Sequence, residues 1–256
     1  MSGGTPGVLL GIPIGQPSLE VAVNDALAAI DRKRPPIVFA CANTHSVVIA
    51  QKDPVFLNAL NDADQVVADG VGVKIVGRLA RIDVGPRIIG EEYFSSLMRS
   101  LELRGSGRIF FFGSSDFVLR KIAERVKQVY PSLTLCGMLS PPFRVWPEEE
   151  NAGMVKAIAD SRPDVLWVGM TAPKQENWVF NNRHLLDVPV IGSIGAVFDY
   201  FAGTVPSPPR WVRKAGLEFL YRAFRNTSPW TFWLRGLSFP KLVFLVLRKH
   251  TLRRRR

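Results

Sequence analysis

Short apolar runs and amphipathic stretches take turns along this chain. Apolar runs over 8–14, 36–40, 65–68, 108–113, 133–137, 164–169 and 188–194 predict strands. Between them, the spacing of apolar positions predicts helices over 18–32, 44–50, 54–61, 71–79, 91–103, 116–129, 147–159 and 173–185. The strand runs are continuous rather than alternating, as in strands buried on both faces. Strand–helix alternation then calls for right-handed crossovers and a parallel sheet. The expected fold is α/β, a Rossmann-like, doubly wound, mostly parallel sheet. In such sheets ligands lie beyond the carboxyl ends of the strands. The residues that follow each run therefore carry the functional argument.

The alternation stops at 203–209, where Gly-Thr-Val-Pro-Ser-Pro-Pro sets three prolines in a row of breakers. This divides the chain into a core over 1–203 and a helical C-terminal appendage over 204–256. Apolar residues make up 47% of the chain, enough for a full core. Cys41 and Cys136 are the only cysteines, which excludes a disulfide-stapled fold and a cysteine-built zinc site. No basic residue precedes the short apolar run near the N-terminus, so no signal peptide is expected. No apolar stretch reaches the ~18 residues of a membrane-spanning helix.

Charge changes this picture. The net +11 is not spread evenly. Residues 1–209 carry 20 Lys+Arg against 21 Asp+Glu, whereas 210–256 carry 13 against Glu218 alone. Nine of the 26 aromatics lie in that last stretch too. A near-neutral body with a basic, aromatic tail suits a polyanion or an anionic membrane face.

Five strand ends carry candidate chemistry. Cys41 and Asn43 follow the run over 36–40. Asp69-Gly70-Val71-Gly72 follows 65–68. A carboxylate held at a strand end suits a general base, and the glycines would let a substrate approach the backbone; capping the next helix is the competing role for Asp69. Gly113-Ser114-Ser115 opens a helix with free N–H groups suited to phosphate, or forms a plain tight turn. It is neither a dinucleotide fingerprint nor a P-loop. Pro173-Lys174-Gln175-Glu176 starts another helix, with proline at its first position and polar side chains able to reach a diphosphate. Gly195 through Asp199 is a further turn with an acid. Asp62-Ala63-Asp64 has metal-binding spacing but precedes a strand, so it reads as a solvated helix end. Glu148-Glu149-Glu150 suits a helix N-terminus. His45, His184 and His250 show no ligand spacing, and no nucleophile elbow occurs. No metal site and no cofactor are expected.

In order and spacing, these motifs resemble the WecG/TagA/CpsF glycosyltransferase family, also called glycosyltransferase family 26. The resemblance runs from about Ile37 to Arg222. It is carried by Ala42-Asn43, Asp53-Pro54, Ala68-Asp69-Gly70-Val71-Gly72, Arg87, Gly90, Phe112-Gly113, Tyr130-Pro131, Ser140-Pro141-Pro142-Phe143, Arg162-Pro163-Asp164, Pro173-Lys174-Gln175-Glu176, Gly195-Ala196-Val197-Phe198-Asp199 and Gly216 through Arg222. It implies a hexosyl- or N-acetylhexosaminyltransferase that moves a sugar from a UDP-sugar onto a polyprenyl-diphosphate-linked sugar. The reaction would be inverting and metal-independent, at the cytoplasmic face of the inner membrane, in bacterial surface polysaccharide synthesis. By the resemblance Asp69 is the base, Gln175 lies near the donor phosphates, Asp199 lies near the nucleotide, and Arg222 closes over the site from the tail. Cys41, Asn43, Gly70, Gly72, Arg87, Gly113, Ser114 and Lys174 complete the expected substrate-binding set. Cys41 stands where the family usually has threonine, and Glu92 where it usually has aspartate. Some relatives associate through the body, so the resemblance extends to a weak homo-oligomer.

The tail is expected to lie on the membrane through Lys241, Arg248, Lys249, Arg253, Arg254, Arg255 and Arg256, around a short apolar patch over 242–247. Two rival readings use the same features: a nucleic-acid-binding protein, in which the polar strand ends have no task, and a non-catalytic membrane-surface scaffold. The reading adopted has no nucleic-acid partner.

Overall fold

The computed structural model describes residues 7–15, 18–209, 211–212, 221 and 238–253, with side chains described as far as 248. The chain opens on a hairpin of β1 (Gly7–Leu9) and β2 (Ile12–Ile14), followed by α1 (Leu19–Ile30). Next come β3 (Ile37–Ala42), α2 (Thr44–Ala50), α3 (Pro54–Asp62), β4 (Gln65–Ala68), α4 (Val71–Ala80) and α5 (Gly90–Arg104). Then follow β5 (Arg108–Gly113), α6 (Asp116–Val129), β6 (Thr134–Leu139), α7 (Glu148–Ser161) and β7 (Val165–Gly169). The core ends with α8 (Lys174–Asn182), a 3₁₀ turn (Arg183–Leu185), β8 (Val190–Ser193) and α9 (Val197–Ala202). A last helix, α10, spans Ser238–Arg253.

Six strands form one parallel sheet in the order β4-β3-β8-β7-β5-β6. Helices cover both faces, which explains the uninterrupted apolar runs. Ile37, Phe39, Phe111, Val165 and Trp167 pack on one face with α1, α5, α6 and α9. Val38, Phe110, Phe112, Leu166 and Val168 pack on the other with α7 and α8. Ala40, Ala42, Val66 and Ala68 face α2, α3 and α4 on that second side. Gly192 stands beside Trp167 across the β7–β8 pair, and a Cβ there would lie 2.4 Å from the Trp167 ring. The missing side chain makes room for the largest one in the core.

The first expected strand is corrected. Residues 8–14 do not join the parallel sheet but fold back as an antiparallel hairpin of their own. Leu10 and Gly11 both have positive φ (52° and 90°), the signature of a two-residue turn whose twist matches its strands. Leu9, Ile12 and Ile14 are fully buried against α2, α3 and α4. Gly15 N–H also donates to Val66 O (2.9 Å), so the chain after the hairpin covers part of the exposed β4 edge.

Asp62 and Asp64 lie at the amino end of β4, at the opposite end of the sheet from the expected site. Both accept from Arg183, at 3.0 and 2.9 Å, and Asp64 also accepts from Val38 N–H (2.8 Å). They form a clip between α3, β3 and the 3₁₀ turn at a helix end that stays exposed, as expected. α10 packs on α2 and α4. Leu242 and Val246, one turn apart, are buried among Val47, Ala50, Val73 and Val76, while Lys241, Phe244 and Arg248 face outward. Burying these two side chains contributes about 2 kcal/mol each to that docking. Among the described residues no helix is long and apolar enough to cross a membrane.

Candidate active site at the carboxyl ends of the strands

Because all six strands run the same way, their carboxyl ends make one rim. Ala42 of β3 and Ala68 of β4 are register partners, so Asn43 and Asp69 leave the sheet side by side. Asp69 N–H donates to Ala42 O (3.0 Å), which fixes this exit. Arg87 joins from outside: its segment bridges Ala68 in parallel, and Ile88 N–H donates to Ala68 O (3.2 Å). Asp69, Asn43 and Arg87 are thus gathered at one corner of the rim.

Asn43 caps α2. Its Oδ1 accepts from His45 N–H and Ser46 N–H, both at 3.0 Å. Ser46 Oγ donates to the same oxygen (3.3 Å). Cys41 lies inside β3 rather than after it. Burial is the main force that pushes its thiol well above the ordinary range, and the charges of Asp69 and Glu176 add to it. Cys41 is therefore a neutral thiol near the Asp69 carboxylate.

The two glycines after Asp69 differ. Gly70, at φ 96°, has open space where a Cβ would stand, and this fits close approach of a substrate. At Gly72 a Cβ would lie 2.4 Å from Thr44 Cγ2 and 3.2 Å from the Phe239 ring. Gly72 thus lets α4 pack closely against α2 and α10. His45 Nδ1 lies 3.1 Å from Ser238 Oγ, a second tie between α10 and this corner.

Further along the rim, α8 begins beyond β7. Pro173 follows a cis peptide bond and is the N-cap, so the first helical residue is Lys174 and not Pro173. The Lys174 ammonium sits 4.0 Å over the Trp146 ring. Partial burial lowers its pKa from the ordinary range. Gln175 is buried and fixed at both ends: its Oε1 accepts from Met170 N–H (3.2 Å), and its Nε2 donates to Glu176 Oε1 (2.8 Å). It lies against Gly195, beyond the end of β8.

Gly113 closes β5 at φ 125°, and a Cβ there would lie 2.5 Å from Gly169 O. Ser114 follows with φ 57° and accepts from Ser140 Oγ (2.8 Å), while Ser115 caps α6. Asp199 lies in α9, one turn beyond the β8 end. Burial pushes its carboxyl up, and Thr204 N–H donates to its main-chain oxygen (3.1 Å). The rim thus runs from Asp69 through Cys41 and Asn43 to Gln175, then to Gly113 and Ser114. Three strand spacings, about 14 Å, separate the ends of β4 and β7, and four, about 19 Å, those of β4 and β5. An extended nucleotide sugar spans such a row; a single phosphate does not. Arg222 and Arg254 to Arg256 lie outside the described residues, as do the side chains of Lys249 and Arg253.

Glu176 belongs to the same motif, and no role for it is expected from the sequence. It is 4% exposed, and burial pushes its carboxyl up to about 7, against a hydrogen bond from Gln175 that lowers it. The unfolded chain would release this proton near 4.5. The folded chain holds it to about 7, so this group weighs increasingly against folding as pH rises through that window. The sequence signal was an acid on the same helix face as Val179 and Phe180.

Comparisons with known proteins identify the family. Residues 8–256 match the model of the Glycosyl transferase WecG/TagA/CpsF family. The chain belongs to that family. It is a glycosyltransferase. Relatives include an N-acetylglucosaminyldiphosphoundecaprenol N-acetyl-beta-D-mannosaminyltransferase of Bacillus subtilis (strain 168), 30% identical over 83% of this chain and 79% of the relative. Proteins of the same name in Bacillus spizizenii (31% identity, 78% and 74% covered) and Staphylococcus aureus strain MW2 (27%, 72% and 70%) match as well. Family membership therefore covers the hairpin and α10, beyond the 37–222 stretch whose motifs carried the resemblance.

Proposed function

We propose that this glycosyltransferase moves an N-acetylhexosamine from a UDP-sugar onto a polyprenyl-diphosphate-linked sugar, with inversion and without a metal ion. The observation that carries the reading is the corner where Asp69 and Asn43 leave paired strand ends and Arg87 bridges in beside them, with Gln175 clamped further along the same rim. The relatives' names make an undecaprenyl-diphosphate-linked N-acetylglucosamine the first acceptor to try.

In this reading Asp69 accepts the proton of the acceptor hydroxyl as its oxygen attacks the anomeric carbon. The leaving UDP gathers negative charge, which meets the N-termini of α8 and α6 together with Lys174. Lys174 is drawn from the Trp146 ring to the diphosphate. Metal independence is supported by Asp62 and Asp64, the pair with metal-binding spacing, being engaged by Arg183 at the far end of the sheet. The expected result is UDP release that depends on acceptor-bearing vesicles and persists in EDTA. Release that stops in EDTA and returns with a divalent cation overturns the metal-free mechanism. Panels of UDP-sugars identify the donor.

A lipid-linked acceptor requires the protein at a membrane surface, and the proposed place is the cytoplasmic face of the inner membrane, peripherally bound. α10 supports this: Leu242 and Val246 hold it to the core while Lys241, Phe244 and Arg248 stay outward. Basic residues near an anionic leaflet contribute about 1 kcal/mol each before screening. The protein is expected to sediment with anionic vesicles, to stay in solution with neutral ones, and to be released by high salt. Binding that ignores both lipid charge and salt counts against this surface.

A further inference from the structure

The mechanism above leaves one buried carboxyl without a task. Gln175 and Glu176 both turn inward at the start of α8, at 5% and 4% exposure. Gln175 is oriented by its two bonds, so its Nε2 faces Glu176 Oε1 and not the reverse. Glu176 Oε2 is buried with no hydrogen-bond partner among the described residues, as is Ser193 Oγ at the end of β8. Both residues line one narrow cleft with Val38, Ala40 and Ala59. An ionised carboxylate with an orphaned oxygen is costly here. A donor diphosphate beside Gln175 would add two or more negative charges within reach of it, in a medium that screens poorly.

We propose that Glu176 is a positioning residue for Gln175 that takes up a proton when the nucleotide diphosphate binds. This rests on the reading that the diphosphate lies by Gln175. The proton comes from solvent and adds to Glu176 Oε2. Oε1 remains a carbonyl acceptor, so the Gln175 Nε2 donor bond persists and the clamp holds in both forms. Gln175 then presents its remaining amide N–H to the phosphates without a buried negative charge behind it.

Among the described residues, those lining this cleft include no Lys, Arg or His. β3 contributes Cys41, whose thiol burial keeps protonated. The end of β4 contributes Asp69, a further negative charge. α3 contributes Asp62 to the same cleft, and Arg183 is engaged by Asp62 and Asp64. On α8 itself Lys174 stands over Trp146. Burial places the Glu176 carboxyl at about 7, so the free protein near neutrality holds both forms and the proton is within easy reach.

The test is calorimetric titration of the full-length protein with UDP, in pairs of buffers of different ionisation enthalpy. Between pH 7.5 and 8.5 the terminal phosphate of UDP is already ionised, its pKa being near 6. Wild type is expected to take up roughly three-quarters of a proton per UDP at pH 7.5, and to bind about eightfold more weakly at pH 8.5. Glu176→Gln, neutral and isosteric, is expected to bind UDP with no such uptake and with affinity flat over this range. Wild type that binds UDP without proton uptake overturns the inference alone and leaves the nucleotide reading standing. So does uptake that persists in Glu176→Gln. No UDP binding by wild type overturns both. If the variant does not fold, the wild-type proton count and pH slope still decide.

Discussion

Asp69→Asn is expected to lower turnover by roughly 10²–10⁴-fold, the range a positioned base supplies, while UDP binds as in wild type. The argument is positional. Asp69 is held by its own N–H to Ala42 O, at the end of a fully buried strand. The amide keeps that shape and those backbone bonds but cannot accept the acceptor proton. The loss therefore falls on kcat with the donor's KM little changed, which marks an interaction made only in the transition state. Turnover near the wild-type rate would remove Asp69 from the role of base. Loss of UDP binding would instead make it a donor ligand.

Gly113→Ala is expected to be the most damaging small change to the fold. Two independent costs coincide there. The φ of 125° is one that L side chains rarely adopt, and the new Cβ would stand 2.5 Å from Gly169 O. That oxygen is main chain in a central strand, and Gly169 in turn is pressed by Phe198, whose ring would lie 2.4 Å from a Cβ at position 169. Nothing in this stack can turn aside as a flexible side chain would. Strain of about 1–3 kcal/mol for the backbone and a similar amount for overpacking should show as a lower urea midpoint with unchanged slope. Gly105→Ala is the control: its φ is also positive, 74°, but it has nothing within 4 Å. A Gly113→Ala variant no less stable than that control would refute the packing argument.

These two residues also show what the sequence makes legible. Strands covered on both faces must be apolar throughout, so Ile109 to Phe112 and Val165 to Val168 stand out as runs, and the glycine or acid that ends each run marks the rim. The hairpin is not legible because its two strands, only three residues each, together read as one run. Gly11, in the middle of that run, was the turn signal. The exposed helix end at Asp62 and Asp64 is legible, but their clip to Arg183 is not, because that partner lies more than a hundred residues away. Glu176 stayed without a role for a related reason: its burial depends on α3, β3 and β8 closing over α8, which no local pattern encodes. The packing of Gly72 against Phe239 is equally hidden from local pattern, since Phe239 comes from the far end of the chain.

The strand order has a consequence for how the protein is made. Among the described residues β8 is the last strand, yet it lies between β3 and β7, joined to both. Before Val190–Ser193 leaves the ribosome, the sheet exists as two halves, β4-β3 and β7-β5-β6, each with a raw inner edge of unpaired backbone. Such edges invite pairing with another nascent chain. The inserting strand is only four residues long and closes contacts more than a hundred residues apart with β3, so its arrival should be a late and slow event. Any chain halted before about residue 190 would carry most of the rim residues and still lack the strand that brings Asp69 and Gln175 into one site.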